Sequence, residues 1–590
     1  MRSASLLCIE SGTSCFDSGA DWRFEGSGLR DPSFARARPP NVLILLADDL
    51  GVGDLEAYSA SALVPTPAIS ALSAAGVRFT DAHAHPLCSP SRYSLLSGSY
   101  VFRGRRPSSS WGLSGGSQLL PGQRTIAESF RAAGYATLLL GKAGIGGEVA
   151  ALPDELRRST EDDRVDWLLR RGRRLADGPA QWGFDESLSM VSGIQSPPYA
   201  WFNGSVASLP RGSRCWGTAT HATRTGDWVS GKFAGTGLRH RRYTPCGAGD
   251  GHDGAADWEG HMADAHVAQA ALGFFDRRRR ARGPQPPFFA LVATAAVHAP
   301  FTPPDRFRDA DIRTWVATSE VAAPRRLHVP HSSMVAELDA VVGALMAALR
   351  SAGELNETIV VFASDNGGLS CATKQHGSWR PSPETPAPPF EDVSPERSGL
   401  QSPLCGANSS AHLRGHKGDL YEGGHRVPLL VAWPAGGVPA GGECGDLVGL
   451  TDLYATLLDL AGLAPPAPGQ AADSVSFKRR LLRPRDGHPA RSDLLVPSPP
   501  SWALRWSRWK LISLAHGSQR ATELFDLEAD PGETTNLLPP HNVSGQPPRA
   551  SGEAASRHEA TAARMAQRAD QILTSGELGG RKRMQALRTM

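Results

Sequence analysis

The chain of 590 residues contains no run of about 18 consecutive apolar residues, so no segment reads as a membrane-crossing helix. It has no surplus of one charge either. Its 62 Lys and Arg stand against 59 Asp and Glu, a formal +3, which gives no field for holding a nucleic acid. No internal repeat is visible, which excludes a solenoid or propeller. Cysteine is scarce, with 8 in all: Cys8, Cys15, Cys88, Cys215, Cys246, Cys371, Cys405 and Cys444. Cys215 with Cys246, and Cys371 with Cys405, bracket Gly/Pro-rich stretches as disulfides closing surface loops would, with free thiols as the alternative. Asn203, Asn356, Asn408 and Asn542 head glycosylation sequons, which favours a secretory route. The apolar stretch at 5–9 is short for a signal h-region, and residues 1–40 read as disordered or as a misassigned N-terminus.

The rest alternates short apolar runs with amphipathic ones, the mark of an α/β domain. Asn41–Ala47, Ala136–Leu140, Pro287–Ala293, Thr358–Ala363 and Leu429–Trp433 are continuous apolar runs, as buried parallel strands are. Helices are expected over Pro67–Gly76, Thr125–Ala133, Asp257–Arg280, Ser333–Arg350 and Thr451–Gly462. Stretches 203–256 and 371–405 lack a core pattern and read as long loops. After about residue 465 the character changes. A strand over Trp502–Leu514 and a helix near 552–573 suggest a small antiparallel C-terminal subdomain, giving a catalytic domain at 41–465 and a second unit at 466–590.

The chemistry gathers at the ends of these strands, where open α/β sheets bind ligands. Asp48-Asp49 follows the first strand, and two adjacent acids point to opposite faces unless the chain turns, which Gly51 and Gly53 permit. Lys142 follows the Ala136 strand, His298 the Phe288 strand, and Asp365-Asn366 the Thr358 strand. An acid and an amide oxygen there are hard ligands suited to Ca²⁺ or Mg²⁺. After Cys88-Ser-Pro-Ser-Arg92, the run Arg92-Tyr-Ser-Leu-Leu-Ser97 reads as a short helix that Gly98 ends, which puts Cys88 just before a helix N-terminus.

Cys-x-Pro-Ser-Arg with Leu-Leu-Ser-Gly resembles the signature of the type I sulfatases. Asp48-Asp49, Lys142, His298, Asp365-Asn366 and the block Leu413–Pro428 containing Lys417 follow in that family's order, over roughly residues 40–540. The resemblance implies a large, mostly parallel sheet between helices, of the alkaline-phosphatase kind, and hydrolysis of an aryl or carbohydrate sulfate ester. It implies that a formylglycine-generating enzyme oxidises Cys88 to formylglycine (3-oxoalanine), whose hydrate is the nucleophile. Asp48, Asp49, Asp365, Asn366 and the modified Cys88 would bind Ca²⁺, or Mg²⁺. Arg92, Lys142 and Lys417 would hold the sulfate, with His298 also at the sulfate and protonating the leaving oxygen. It also implies a lysosomal or secreted protein. One departure stands out. The family has Gly-Lys-Trp-His-x-Gly where this chain has Gly141-Lys142-Ala143-Gly144-Ile145-Gly146, so Gly144 replaces a histidine. His83, His85, His376, His416 and His425 are the candidates to fill that gap. Two other readings remain at this point: a phosphate or phosphonate ester hydrolase of the same superfamily, and an impaired homologue that only binds sulfated glycans.

Overall fold

The computed structural model describes residues 38–106, 116–149, 175–195, 262–299, 329–369, 409–516, 519–538 and 553–575, with a few short strands elsewhere. The long loops 209–261 and 370–408, with Cys215, Cys246, Cys371 and Cys405, lie outside the described residues. In the N-terminal stretch expected to lack order, Leu6–Cys8 and Cys15–Asp17 pair as an antiparallel ribbon.

Ten strands form the central sheet: β1 (Asn41–Ala47), β2 (Val77–Phe79), β3 (Ala136–Lys142), β4 (Glu186–Met190), β5 (Trp201–Asn203), β6 (Val206–Ser208), β7 (Phe288–Ala293), β8 (Thr358–Ser364), β9 (Leu429–Ala432) and β10 (Gly442–Cys444). Their spatial order is β6-β5-β4-β3-β7-β1-β8-β9-β2-β10. The middle five, β4-β3-β7-β1-β8, run parallel, so their carboxyl ends share one edge. Every residue of β1, β7 and β8 is buried, which explains their unbroken apolar sequences. Strands β5, β6 and β9 join antiparallel, making the sheet mixed.

Helices cover both faces. One layer holds α1 (Pro67–Ala75), α4 (Ala263–Arg280) and α5 (Val329–Ser351) against side chains such as Leu43, Leu45 and Val292. The other holds α2 (Cys88–Ser97), α3 (Ile126–Ala132) and α6 (Leu453–Ala461) against Val42, Ile44 and Leu291. Helix α3 starts where expected because Thr125 and Glu128 form a reciprocal cap, with Thr125 Oγ1 accepting from Glu128 N at 3.0 Å. Such a cap is worth about 1 kcal/mol. The His331–Ser351 part of α5 is long and apolar enough to cross a membrane, but 78% of its most apolar window is buried in this core.

The C-terminal unit is a four-stranded antiparallel sheet, β11 (Asp493–Ser498), β12 (Ser501–Trp506), β13 (Trp509–His516) and β14 (Gln519–Asp526), covered by α7 (Glu553–Thr574) through Met565, Ala569 and Leu573. The single strand expected over Trp502–Leu514 is two strands. The chain reverses at Ser507, whose φ of 53° is left-handed, and Trp506 pairs with Trp509 across the turn.

Candidate active site

Asp48 and Asp49 converge by a route the sequence did not indicate. The left-handed residue is Asp49 itself, with φ 64°, while Gly51 is extended. What Gly51 supplies is room: a Cβ there would lie 1.8 Å from the Ser409 carbonyl oxygen. Asp49 N donates to Asp365 Oδ1 at 3.2 Å and Leu50 N to Ser364 Oγ at 3.0 Å, so the ends of β1 and β8 hold each other's acids in place.

Cys88 is the first residue of α2, whose N-terminus has no side-chain cap, so part of its dipole is open to an anion. Helix α2 is buried on every side although six of its ten residues are Ser, Arg or Tyr. Its polar groups are therefore paired: Ser94 Oγ bonds His85 Nε2 at 2.7 Å, and Arg92 Nε donates to Asp365 Oδ2 at 2.8 Å. Gly98 ends it in the left-handed conformation, packed where a Cβ would meet Ala471 Cβ at 2.5 Å.

Three cations and three acids then interlock. Arg92 Nη1 donates to the Lys142 carbonyl at 2.6 Å, and Arg92 Nη2 lies 2.7 Å from Asp365 Oδ2 and 3.7 Å from Asp48 Oδ2. Lys142 Nζ donates to Asp48 Oδ2 at 2.6 Å. Lys417 Nζ donates to Asp49 Oδ2 at 2.7 Å and to His298 Nε2 at 2.9 Å. Asn366 Nδ2 donates to Asp49 Oδ1 at 2.8 Å. One ligand atom each from Asp48, Cys88 and Asp365 lie within 4.8 Å of one another, as do those of Asp48, Asp49 and His298. All nine residues singled out from the sequence, Asp48, Asp49, Cys88, Arg92, Lys142, His298, Asp365, Asn366 and Lys417, therefore meet in one place.

The electrostatics follow from burial among these charges. Burial opposes the Asp48 charge, but Lys142 foremost, then His298 and Arg92, draw its carboxyl well below the usual carboxylate range. Burial and the neighbouring Asp48 charge push Asp365 up to about 7. Burial lowers His298 to about 4, so its ring is neutral near pH 7. With Nδ1 bonded to the Ala299 carbonyl and Nε2 accepting from Lys417, the ring is held in one tautomer. Burial opposes the charges of Lys142 and Lys417, yet Asp48 and Asp49 respectively raise both, and Cys88 contributes to each.

Some atoms are left over. Asp48 Oδ1 and Asn366 Oδ1 are buried acceptors without a donor, and Arg92 Nη2 is a buried donor without an aligned acceptor. Unsatisfied buried polar atoms are costly, so these mark what the site is built to receive. The two oxygens, with the remaining oxygens of Asp49 and Asp365, form a hard donor set that fits a divalent cation such as Ca²⁺ or Mg²⁺. The orphan guanidinium N–H fits an anionic oxygen.

Glu422 is fully buried between Arg505 and Lys510. Of the histidines considered for the Gly144 gap, His83 and His425 bond each other at 2.9 Å in that separate cluster, and His85 is engaged with Ser94 and the Pro497 carbonyl. His416 bonds the Lys417 carbonyl, and His376 lies outside the described residues. Sequence reasoning passed over Gln195, whose Oε1 is also buried without a donor beside Lys142.

The fold has counterparts among solved structures. A structure from Bacteroides thetaiotaomicron described under the metabolism of multiple glycosaminoglycans superposes with a TM-score of 0.64 at 22% identity, covering 91% of this chain and 99% of its own. The phosphonate monoester hydrolase of Agrobacterium radiobacter shares the architecture at a TM-score of 0.50 and 17% identity, over 90% of this chain and 96% of its own. The helix-flanked mixed sheet with a small C-terminal antiparallel sheet is thus the sulfatase and alkaline-phosphatase-like fold. The family model described as Sulfatase matches residues 40–463, and the chain belongs to the sulfatase family of enzymes. Human arylsulfatase A is 30% identical over 85% of this chain and 84% of its own length. An N-acetylgalactosamine-6-O-sulfatase of Bacteroides thetaiotaomicron is 26% identical over 86% and 91%.

Proposed function

We propose that this protein hydrolyses a sulfuric ester of an aryl or carbohydrate alcohol, with Cys88 converted to formylglycine by a formylglycine-generating enzyme and Ca²⁺ or Mg²⁺ held by Asp48, Asp49, Asp365 and Asn366. The observation that carries this reading is the convergence of Arg92, Lys142 and Lys417 on Cys88 at an uncapped helix N-terminus, with one guanidinium N–H still unsatisfied. The cation, when bound, supplies a Lewis acid for a sulfate oxygen, and the hydrated aldehyde supplies the nucleophilic hydroxyl.

The chain's own residues do the rest. Arg92 Nη2 and the two ammonium groups bind the non-bridging sulfate oxygens and stabilise charge that grows as the S–O bond to the alcohol breaks. Because all three are tethered to carboxylates, Arg92 and Lys142 fully buried and Lys417 largely so, they need little reorganisation during the reaction. The departing alkoxide needs a proton. His298 is the partner for that oxygen, and it works with Lys417: the lysine proton already lies on the bond to His298 Nε2, so the pair delivers one proton and shares the resulting deficit. The secretory route suggested by the sequons agrees with this class of enzyme.

The test is hydrolysis of 4-nitrophenyl sulfate and a sulfated sugar with Ca²⁺ or Mg²⁺, after co-expression with a formylglycine-generating enzyme and beside Cys88→Ala. Turnover that vanishes in Cys88→Ala supports the reading. Hydrolysis of phosphate esters alone would replace it with the phosphate or phosphonate alternative. Sulfated-glycan binding with no turnover of either ester would leave the impaired homologue.

A further inference from the structure

Lys142 reaches the site between two glycines, Gly144 and Gly193. A Cβ on Gly144 would lie 3.8 Å from Lys142 Cε, and one on Gly193 would lie 3.2 Å from it. Both glycines are left-handed, with φ of 69° and 87°. On the Gly144 flank the space is taken by the Arg92 stem, whose Cδ would be 2.6 Å from a Cβ there. On the Gly193 flank it is taken by the Gln195 amide, whose Oε1 would be 2.6 Å from a Cβ that is itself 2.9 Å from Lys142 Cδ. One point above Gly193 thus lies within 3 Å of both the Gln195 amide oxygen and the Lys142 stem, so the two side chains are neighbours. Gln195 Oε1 is buried and accepts no hydrogen bond.

We propose that Gln195 is a specificity residue whose Oε1 accepts a hydrogen bond from a hydroxyl of the esterified group, so that the site selects a polyhydroxylated, carbohydrate sulfate over an aryl sulfate. The proposal rests on the sulfatase reading for where the ester lies. A neutral carbonyl oxygen has nothing to offer the sulfate group, because both are acceptors. The three cations already serve that end of the ligand. What an orphan acceptor at the edge of an anion pocket recognises is an O–H or N–H on the part that leaves. An aryl sulfate carries no such donor, whereas a sugar sulfate carries several. Discrimination by hydrogen bonding is strong because the ligand without the donor leaves the buried oxygen unpaired.

The experiment measures binding, so that it does not depend on turnover. In the Cys88→Ala chain, calorimetry would compare N-acetylgalactosamine 6-sulfate, glucosamine 6-sulfate and 4-nitrophenyl sulfate. Gln195→Ala is expected to weaken at least one sugar sulfate by about tenfold, the scale of one neutral hydrogen bond, and the aryl sulfate less than about twofold. Gln195→Met, similar in size but lacking the acceptor, should match Gln195→Ala. Equal losses for sugar and aryl ligands would overturn the proposal, as would wild-type sugar affinity in Gln195→Met or failure of both sugar sulfates to bind. Turnover by the Cys88-intact chain reports separately on the sulfatase reading. Selective loss of sugar affinity in a chain with no turnover would keep this inference and sink that one.

Discussion

The molecule contains two buried charge clusters of nearly the same composition. The first joins Asp48, Asp49 and Asp365 to Arg92, Lys142 and Lys417 beside His298. The second joins Asp81, Glu422 and Glu533 to Arg426, Arg505 and Lys510 beside His83 and His425. In the second, Arg505 Nη1 donates to Asp81 Oδ1 at 3.0 Å and Glu422 Oε2 at 2.8 Å, while Lys510 Nζ meets Glu422 Oε1 at 3.0 Å and Glu533 Oε1 at 2.7 Å. Every carboxylate there faces a cation, and the two imidazoles are pushed toward neutrality, chiefly by burial. In the first cluster Asp48 Oδ1 and Asn366 Oδ1, just past the ends of the neighbouring strands β1 and β8, accept no hydrogen bond; in the second, Arg505 Nε donates none and Glu533 Oε1 accepts none but lies against Lys510 Nζ. Charge count does not distinguish a site from a strut. Buried acceptors with no donor, gathered just past two adjoining strand ends, do.

Breaking the comparison should produce opposite outcomes in the two places. In the open cluster, Lys417→Met removes a sulfate contact and should lower kcat/KM by about 10²–10³, the scale for losing one preorganised donor, with a smaller fall in Tm because the lysine is partly exposed and Asp49 keeps its bond from Asn366. In the closed cluster, Lys510→Met leaves Glu422 and Glu533 buried with less counter-charge and should cost about 3–5 kcal/mol in denaturant unfolding. Comparable stability losses in the two variants would erase the distinction. Ca²⁺ or Mg²⁺ should raise the Tm of the wild-type chain, by about 2.7 kcal/mol of stabilisation at a hundred times Kd, and should not do so in Asp48→Asn. A rise that persists in Asp48→Asn would place the cation elsewhere.

A single buried acid sharpens the contrast further. Asp339 on α5 accepts from Ala68 N and Ile69 N at 3.2 and 2.8 Å, and burial raises it to about 7 from an ordinary value of 3.8. Its native form keeps a proton that the unfolded chain gives up. That contribution is complete below about pH 4 and is lost as pH rises toward 7, at up to about 1.4 kcal/mol per pH unit. Unfolding of Asp339→Asn between pH 4.5 and 7.5 should lack that slope, and an unchanged slope would show that another group titrates.

Much of the first cluster was legible because most of its acids, with Lys142 and Cys88, end or closely follow a strand or open a helix, and local sequence reports both. The apolar run Asn41–Ala47 announced a buried strand, and Gly98 announced the end of α2. The second cluster was not legible, since Arg505 and Asp81 are 424 positions apart and nothing local marks their meeting. The turn at Asp49 was hidden for a different reason. A left-handed residue is expected at glycine, and here the glycine was needed for close approach instead. Gln195 escaped notice because an orphan acceptor is visible only once its surroundings are known.

The closed cluster also sets a schedule for the growing chain. Glu422 leaves the ribosome 88 residues ahead of Lys510, so the block that carries Lys417 is made before strand β13 can supply that counter-charge. Until then the nascent catalytic region carries an acid with one of its cations not yet made. A truncation before Trp509 would therefore leave more than a missing appendage: it would strand the catalytic region at that unfinished stage of synthesis.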